Sequence, residues 1–161
     1  MSTFTRQTRF EFTLMGNDQP FSVLAFKGEE AISEPFSFDI ELVSERASLD
    51  LDALLHQPAW LSFSSRHGIH GQIERITRAS TGKRLTHYSL TLVPRLAYLA
   101  HRTNHRIFQR LTVQQIIGQV LKEHGIFNDA YVFAGFSDYP ARDYSVQYGE
   151  SDLHFIQRLC F

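Results

Sequence analysis

A single cysteine, Cys160, means that no intrachain disulfide framework exists, so the fold rests on packing and a reducing compartment is the expected setting. No apolar run approaches the roughly 20 residues that a membrane-spanning helix needs. The opening "MSTFTRQTRF" lacks the charged-then-apolar order of a signal peptide. The chain is therefore expected to be made in the cytoplasm, and to use a route other than general secretion if it leaves the cell. Acid is missing from a whole third of the chain. Residues 75–122 carry 9 Lys or Arg and no Asp or Glu, whereas residues 1–74 hold 11 acids against 5 cations, and residues from 123 onward hold 6 against 2. A net charge of −1 conceals this segregation, which suits complementary contacts within one chain or between copies. A nucleic-acid binder would pair such a patch with net positive charge and a recognisable module. Neither is present, so nucleic acid is not the expected partner.

What the chain does have is an ordinary folding composition, 43% hydrophobic and 20% charged over 161 residues, with an unusual 14 Phe. Most of those rings alternate with polar residues, which favours strands. "FEFTLM" sets Phe10, Phe12 and Leu14 on one face, and "GNDQP" supplies turn residues before "FSVLAFKGEE", a run apolar on both faces that reads as an internal strand. After a break at Ser33, Glu34 and Pro35, "FSFDIELVS" alternates cleanly, with Phe36, Phe38, Ile40 and Leu42 inward. "SLDLDALLHQP" reads as a short helix begun by Ser48 or Asp50, with Pro58 beyond its end. "AWLSFSS", "IHGQIERITRAS" and "KRLTHYSLTLV" follow as strands joined by tight turns at "RHG" and "TG". Six hairpin-linked strands predict an antiparallel barrel or sandwich, residues 1–93 in all.

The pattern changes at Pro94. Residues 94–130 read as a helical linking and packing segment: "RLAYLAH" as a short helix, then "LTVQQIIGQVLKEHG" as the best helix in the chain. There Thr112 and Gln115 form a capping box, Gly125 closes the end, and Val113, Ile116, Ile117, Val120 and Leu121 make one stripe. "YVFAGF" and "YSVQY" read as strands that open a second domain over 131–161. In the terminal "SDLHFIQRLCF", Ser151 is an N-cap, and Leu153, Ile156, Leu159 and Cys160 recur at helical spacing with no stop signal after them. The expectation is a helix cut short, with most of a second domain still to come.

Chemical motifs are scarce. Gly82 and Lys83 in "ASTGKR" miss a phosphate loop, since Thr77 stands where it needs Gly and Arg84 where it needs Ser or Thr. His67 with His70, and His101 with His105, have ligand-like spacing but no neighbouring third ligand. No G-x-S-x-G elbow occurs, and Cys160, on an apolar helix face, reads as a small core residue. Asp50 and Asp52 are explained by a helix start. Glu34 before Pro35, and Glu150 with Asp152 beside Arg142, fit either buried polar pairs of a site or structural contacts, and the latter is favoured because no third catalytic partner is evident. No enzyme, metal or cofactor is expected.

Three segments together, "ISEPFSFDIELVS", "LVPRLAYLAHRTNHRIFQRLTVQQIIGQVL" and "RDYSVQYGESDLHFIQRL", resemble the N-terminal region of the VgrG family, the trimeric spikes of type VI secretion, which are related to phage late-control protein D and to contractile-tail baseplate hubs. The likeness covers nearly the whole chain. It departs where the family often has an aromatic pair and this chain has Arg95 and Leu96, and where acidic residues and "EGI" commonly follow "RL" but Cys160 and Phe161 stand here. The resemblance implies a β-rich α+β fold: an antiparallel tail-tube-like β-barrel with short helices, followed by the start of a second domain. It implies a homotrimer that docks on a hexameric tube protein, carries a spike-tip protein and effectors, and punctures a target membrane only as the full-length spike. A baseplate hub of a contractile phage or prophage is the alternative, the carrier end of a toxin with an enzymatic domain past Phe161 is another, and a nucleic-acid-binding barrel using residues 75–122 is the least favoured. The protein would be cytoplasmic before firing and secreted by the machine without a signal peptide. Motif and interface candidates implied by the resemblance are Pro35, Phe36 and Phe38; Arg106, Ile107, Phe108 and Gln109; and Tyr144, Gln147, Tyr148, Glu150, Ser151 and Asp152.

Overall fold

A computed structural model describes residues 10–160 except 16, 47, 65–66, 83 and 136–138, with the side chains of 17–20 and 81 also left aside. It divides into two units, Met1–Pro94 and Arg95–Phe161. Lys83 and Phe161, both invoked above, lie outside the described residues.

In the first unit, period-two alternation produces strands β1 (Glu11–Leu14), β2 (Asn17–Ala31), β3 (Glu34–Ser44), β4 (Pro58–Ser62), β5 (Gly68–Thr81) and β6 (Thr86–Val93). They close a barrel in the order β1-β2-β3-β6-β5-β4, because short β1 pairs with β2 on one side and β4 on the other. All its ladders are antiparallel, as the hairpin spacing predicts. Closure removes the sheet edges that an open sandwich would leave. Ile40, Leu42, Leu61, Ile73 and Leu92 are fully buried inside, so the barrel is a packed core. Each such side chain contributes about 1.5–3 kcal/mol before entropy. Phe38 packs on Phe26, Phe36 and Phe63 at ring separations of 5.8–6.2 Å. Tyr88, inside the wall, donates its hydroxyl to the Arg46 carbonyl at 3.0 Å.

Several details differ from the sequence reading. Of "GNDQP", Gly16 lies outside the described residues, and residues 17–20 already belong to β2, because Asn17 pairs with Leu14 and the hairpin register outweighs the turn composition. β2 is internal, but Leu24 is exposed, since a bulge between Val23 and Ala25 shifts the alternation. Pro35 lies within β3, and the break is the turn at Ile32 and Ser33. The helix at "SLDLDALL" is a single 3-10 turn, Asp52–Leu54, with Asp50 accepting from the Ala53 amide. Strand β6 starts at Thr86, three residues later than expected.

The second unit holds a 3-10 helix (Arg95–His101), β7 (Thr103–Leu111), α1 (Val113–Glu123), β8 (Arg142–Ser151) and α2 (Asp152–Cys160). α1 has the predicted capping box: Thr112 Oγ1 accepts from the Gln115 amide, and Gln115 Oε1 accepts from the Thr112 amide. Its five stripe residues are all buried. β7 is the strand that sequence reading passed over. It pairs antiparallel with β8, and Phe108 on its inner face stacks on Phe155 of α2 at 5.6 Å. Of "YVFAGF", expected as a strand, residues 131–135 are irregular, with Val132 and Phe133 exposed, and Phe136 lies outside the described residues. Cys160 is exposed, which overturns the core reading. The buried stripe of α2 is Asp152, Phe155, Ile156 and Leu159, a phase that leaves Cys160 at its margin.

Candidate functional site

Strand alternation puts Asn104, Arg106 and Phe108 on the inner face of β7, and Ser145 and Gln147 opposite them on β8. β8 runs straight into α2 at Ser151, whose hydroxyl accepts from the His154 amide as the predicted N-cap. The next residue, Asp152, is thereby delivered to the first turn of α2 and to the inner face of the sheet. Its side chain is completely buried.

Asp152 is saturated with donors. Oδ1 accepts from Asn104 Nδ2 at 2.9 Å, Arg106 Nη2 at 2.8 Å and Gln147 Nε2 at 2.8 Å. Oδ2 accepts from Arg102 Nε at 2.6 Å and His124 Nε2 at 2.7 Å. The backbone joins in, since the Asp152 amide donates to the Arg102 carbonyl at 2.9 Å. Burial alone would push this carboxyl up, yet the hydrogen bonds from His124, Asn104, Gln147 and Arg102 outweigh it and hold it well below the ordinary carboxylate range. The positive end of α2 acts in the same direction.

A second carboxylate backs the first. Glu123, at the end of α1, accepts from Arg106 Nη1 at 2.7 Å and from Arg102 Nη2, so each guanidinium spans two acids. Burial works against its charge, but both arginines lower its pKa. Gln147 takes Arg106 Nε at 2.7 Å and donates to the Glu150 carbonyl at 3.1 Å. Glu150 itself is held charged by Arg158, with a bond from His154 at 2.8 Å, and Arg158 also reaches the Val146 carbonyl at 2.9 Å. Arg106 lies over the Phe108 ring at 5.2 Å, and Arg158 over Phe155 at 5.3 Å. The cluster thus ties β7, α1, β8 and α2 through one buried anion. A carboxylate so fully donated to, and held in its charged form, is a poor proton acceptor at neutral pH; its chemistry is that of a structural pin.

The predicted residues fall into groups. Arg106, Gln147, Glu150, Ser151 and Asp152 assemble here. Phe108 is core, whereas Gln109 faces out opposite Tyr144. Ile107, Tyr144 and Tyr148 line the exposed face of the β7–β8 sheet, 63%, 69% and 81% exposed. Pro35, Phe36 and Phe38 belong to the barrel. Arg142, expected beside Glu150 and Asp152, stands at the other end of β8 opposite Leu111. Arg102, Asn104, Glu123, His124 and Arg158 were missed. The signal for the first two was the alternation of Arg102, Asn104 and Arg106, hidden because His101 and His105 drew notice instead. His105 packs edge-on against Tyr148 at 4.9 Å, and His67 bonds Ser64 at 3.2 Å. Among the described residues no group of three His, Cys, Asp or Glu side chains is arranged to hold a metal ion.

Comparison with known proteins agrees with this architecture. Residues 29–161 match the family described as phage tail baseplate hub (GPD). The chain is 58% identical over 156 residues to the type VI secretion system spike protein VgrG5 of Pseudomonas aeruginosa and 56% identical over 155 residues to VgrG4b of the same organism. Each alignment covers 96% of this chain but only 20% and 19% of those relatives, so it spans about a fifth of their length. Among solved structures, the E. coli c3393 protein, a component of the type VI secretion system with structural similarity to T4 bacteriophage tail proteins gp27 and gp5, superposes with a TM-score of 0.88. The match has 34% identity and covers 92% of this chain and 42% of that one.

Proposed function

This chain belongs to the phage tail baseplate hub family, and from that premise we propose that it forms the hub segment of a trimeric type VI secretion spike, seating the spike on a hexameric tube so that effectors are delivered by mechanical puncture. The observation that carries the proposal is the closed six-stranded barrel, shared with the c3393 structure at a TM-score of 0.88. A closed barrel offers partners side-chain surfaces and loop ends in place of strand edges, as a stacked ring component needs. In this reading the second unit is the start of another hub domain. The exposed Ile107, Tyr144, Val146 and Tyr148 on its sheet then belong under further strands of the same polypeptide. The Asp152 cluster is the rigid brace at that start, and the work of the chain is to transmit load, with no bond made or broken.

The test is the oligomeric state of the full encoded polypeptide, measured by sedimentation equilibrium, together with its co-sedimentation with purified rings of the tube protein from the same system. A trimer that pellets with the rings is the expected result. A monomer that stays in the supernatant refutes the hub role.

A further inference from the structure

Barrel closure is incomplete along β2. That strand pairs with β1 only as far as Ser22, so on this side residues 23–31 have no strand partner among the described residues. Val23 and Phe26 are half-buried against the barrel core, and the other residues of the run are exposed. An open edge of this length is a template for another strand, and natural folds blunt or cover such edges. The matching overhang on β3, residues 34–37, is blunted by Pro35, which has no N–H to offer. No proline interrupts residues 23–31 of β2.

Direction decides what reaches this edge first. β1 is antiparallel to β2 with Glu11 opposite Ser22, so the chain entering β1 comes in beside Val23. Phe10 already follows that path, its ring meeting Phe26 edge-on at 5.0 Å. Residues 1–9, outside the described residues, read "MSTFTRQTR": Phe4 and three Thr favour a strand, neither Pro nor Gly breaks it, and Arg6 and Arg9 are its only charged side chains. The edge has the opposite sign. Glu29 and Glu30, with Glu34 across the turn, are exposed, and Lys27 beside them is already bonded to Glu29 at 2.9 Å.

We propose that residues 1–9 form a strap that prolongs β1 along the open β2 edge. The two stretches are equal in number of residues, and each spans about 30 Å when extended. The β2 bulge at Leu24 sets the register: with Phe10 beside Val23 on the inner face, skipping Leu24 brings Thr8 beside Phe26, Gln7 beside Lys27 and Thr5 beside Glu29. Neither arginine then opposes Lys27, and Arg9 lies across the small Ala25 from exposed Glu41 of β3. A second copy could offer exposed Arg75 and Arg78 to the same edge, but only at its concentration in solution. A segment tethered at Phe10 is present at an effective concentration on the order of millimolar, which selects the strap. So covered, the edge cannot recruit strands from neighbouring molecules.

The test uses the full encoded polypeptide and hydrogen exchange resolved amide by amide along residues 23–31. Pairing with β3 alone protects alternate amides, whereas the strap adds the other set, so nearly all should be slow in the natural protein. Deletion of residues 2–9, and separately Thr5→Pro with Thr8→Pro, should speed that second set about tenfold or more and leave β3 and β6 unchanged. The two prolines differ in parity, so one of them removes a ladder donor in either phase. A photo-crosslinking residue at position 5 should join residues 27–31 of the same chain. Alternating protection in the natural protein overturns the strap, as does exchange that neither variant moves. A crosslink to a second copy or to another protein, or none to β2, overturns it as well. Should both variants unfold, the pattern in the natural protein and the crosslink still decide. The hub role stands or falls separately, since none of these measurements reads oligomeric state or ring binding.

Discussion

Replacing Asp152 by Ala removes the acceptor of five side-chain donors at once: Arg102, Asn104, Arg106, His124 and Gln147. Breaking a buried ion pair from one side costs about 3–5 kcal/mol, and each buried donor left without a partner costs about 1–3. These penalties do not simply add. Glu123 still holds both arginines, Gln147 still accepts from Arg106, and the Arg102 side chain is 40% exposed, so water can serve it. The lower end, about 3–4 kcal/mol, is therefore expected. At roughly 4–8 °C per kcal/mol for a unit of this size, the midpoint of the second unit should fall by about 12 °C or more. Asp152→Asn keeps the shape but turns an amide toward groups that are themselves donors, so it should also destabilise, by less. Hydrogen exchange read peptide by peptide assigns the loss, which should appear in β7, α1, β8 and α2. A change under about 1 kcal/mol for Asp152→Ala would mean that the buried anion is a spectator, and the pin argument would fall.

Acid should act through the same group. Its folded-state pKa lies below the ordinary carboxylate value, so its stabilising contribution is complete above that value and is lost as pH falls toward the folded-state one. Glu123 and Glu150 shift in the same direction, and exchange protection in the second unit should therefore hold at neutral pH and collapse in acid, with a shallower dependence in Asp152→Asn. Gly28→Ala places a methyl against the Phe38 ring and should destabilise the barrel by about 1–3 kcal/mol, measured by denaturant midpoint; an unchanged midpoint would show that the ring moves freely. Thr112→Ala removes the α1 cap and should cost about 1 kcal/mol, with loss of exchange protection in the first turn of α1 as its local signature. Ser145 has the opposite sign: its buried hydroxyl has no hydrogen-bond partner among the described residues, so Ser145→Ala should be neutral or mildly stabilising in the same melting assay.

The contrast between what could be read from the sequence and what could not has a physical cause. Alternation in "FSFDIELVS" exposed β3 because each residue's face depends on its neighbours one and two positions away, and the stripe and capping box of α1 are equally local. The β2 bulge was not legible, since it depends on how β2 and β3 meet, and α2 was read one step out of phase because Cys160 looked as apolar as Phe155. β7 was lost for a related reason: its inner face carries Asn104 and Arg106, polar where a strand's buried face is expected to be apolar, so no alternation showed.

That same substitution of polar for apolar defines the pin. The partners of Asp152 stand at positions 102, 104, 106, 124 and 147, so only the fold brings them together, and each alone reads as a surface residue. A purely apolar contact between α2 and the sheet would hold those elements with little preference for depth or rotation, because dispersion and hydrophobic burial are weakly directional. Five donors converging on two oxygens tolerate neither a slide nor a turn without leaving charge unpaired in a buried place. For a segment whose proposed work is to pass axial load from a tube into a spike, resistance to small displacements matters more than total stability. A mechanical defect should therefore appear first in Asp152 variants that still fold at rest but slip at the β8–α2 junction under force.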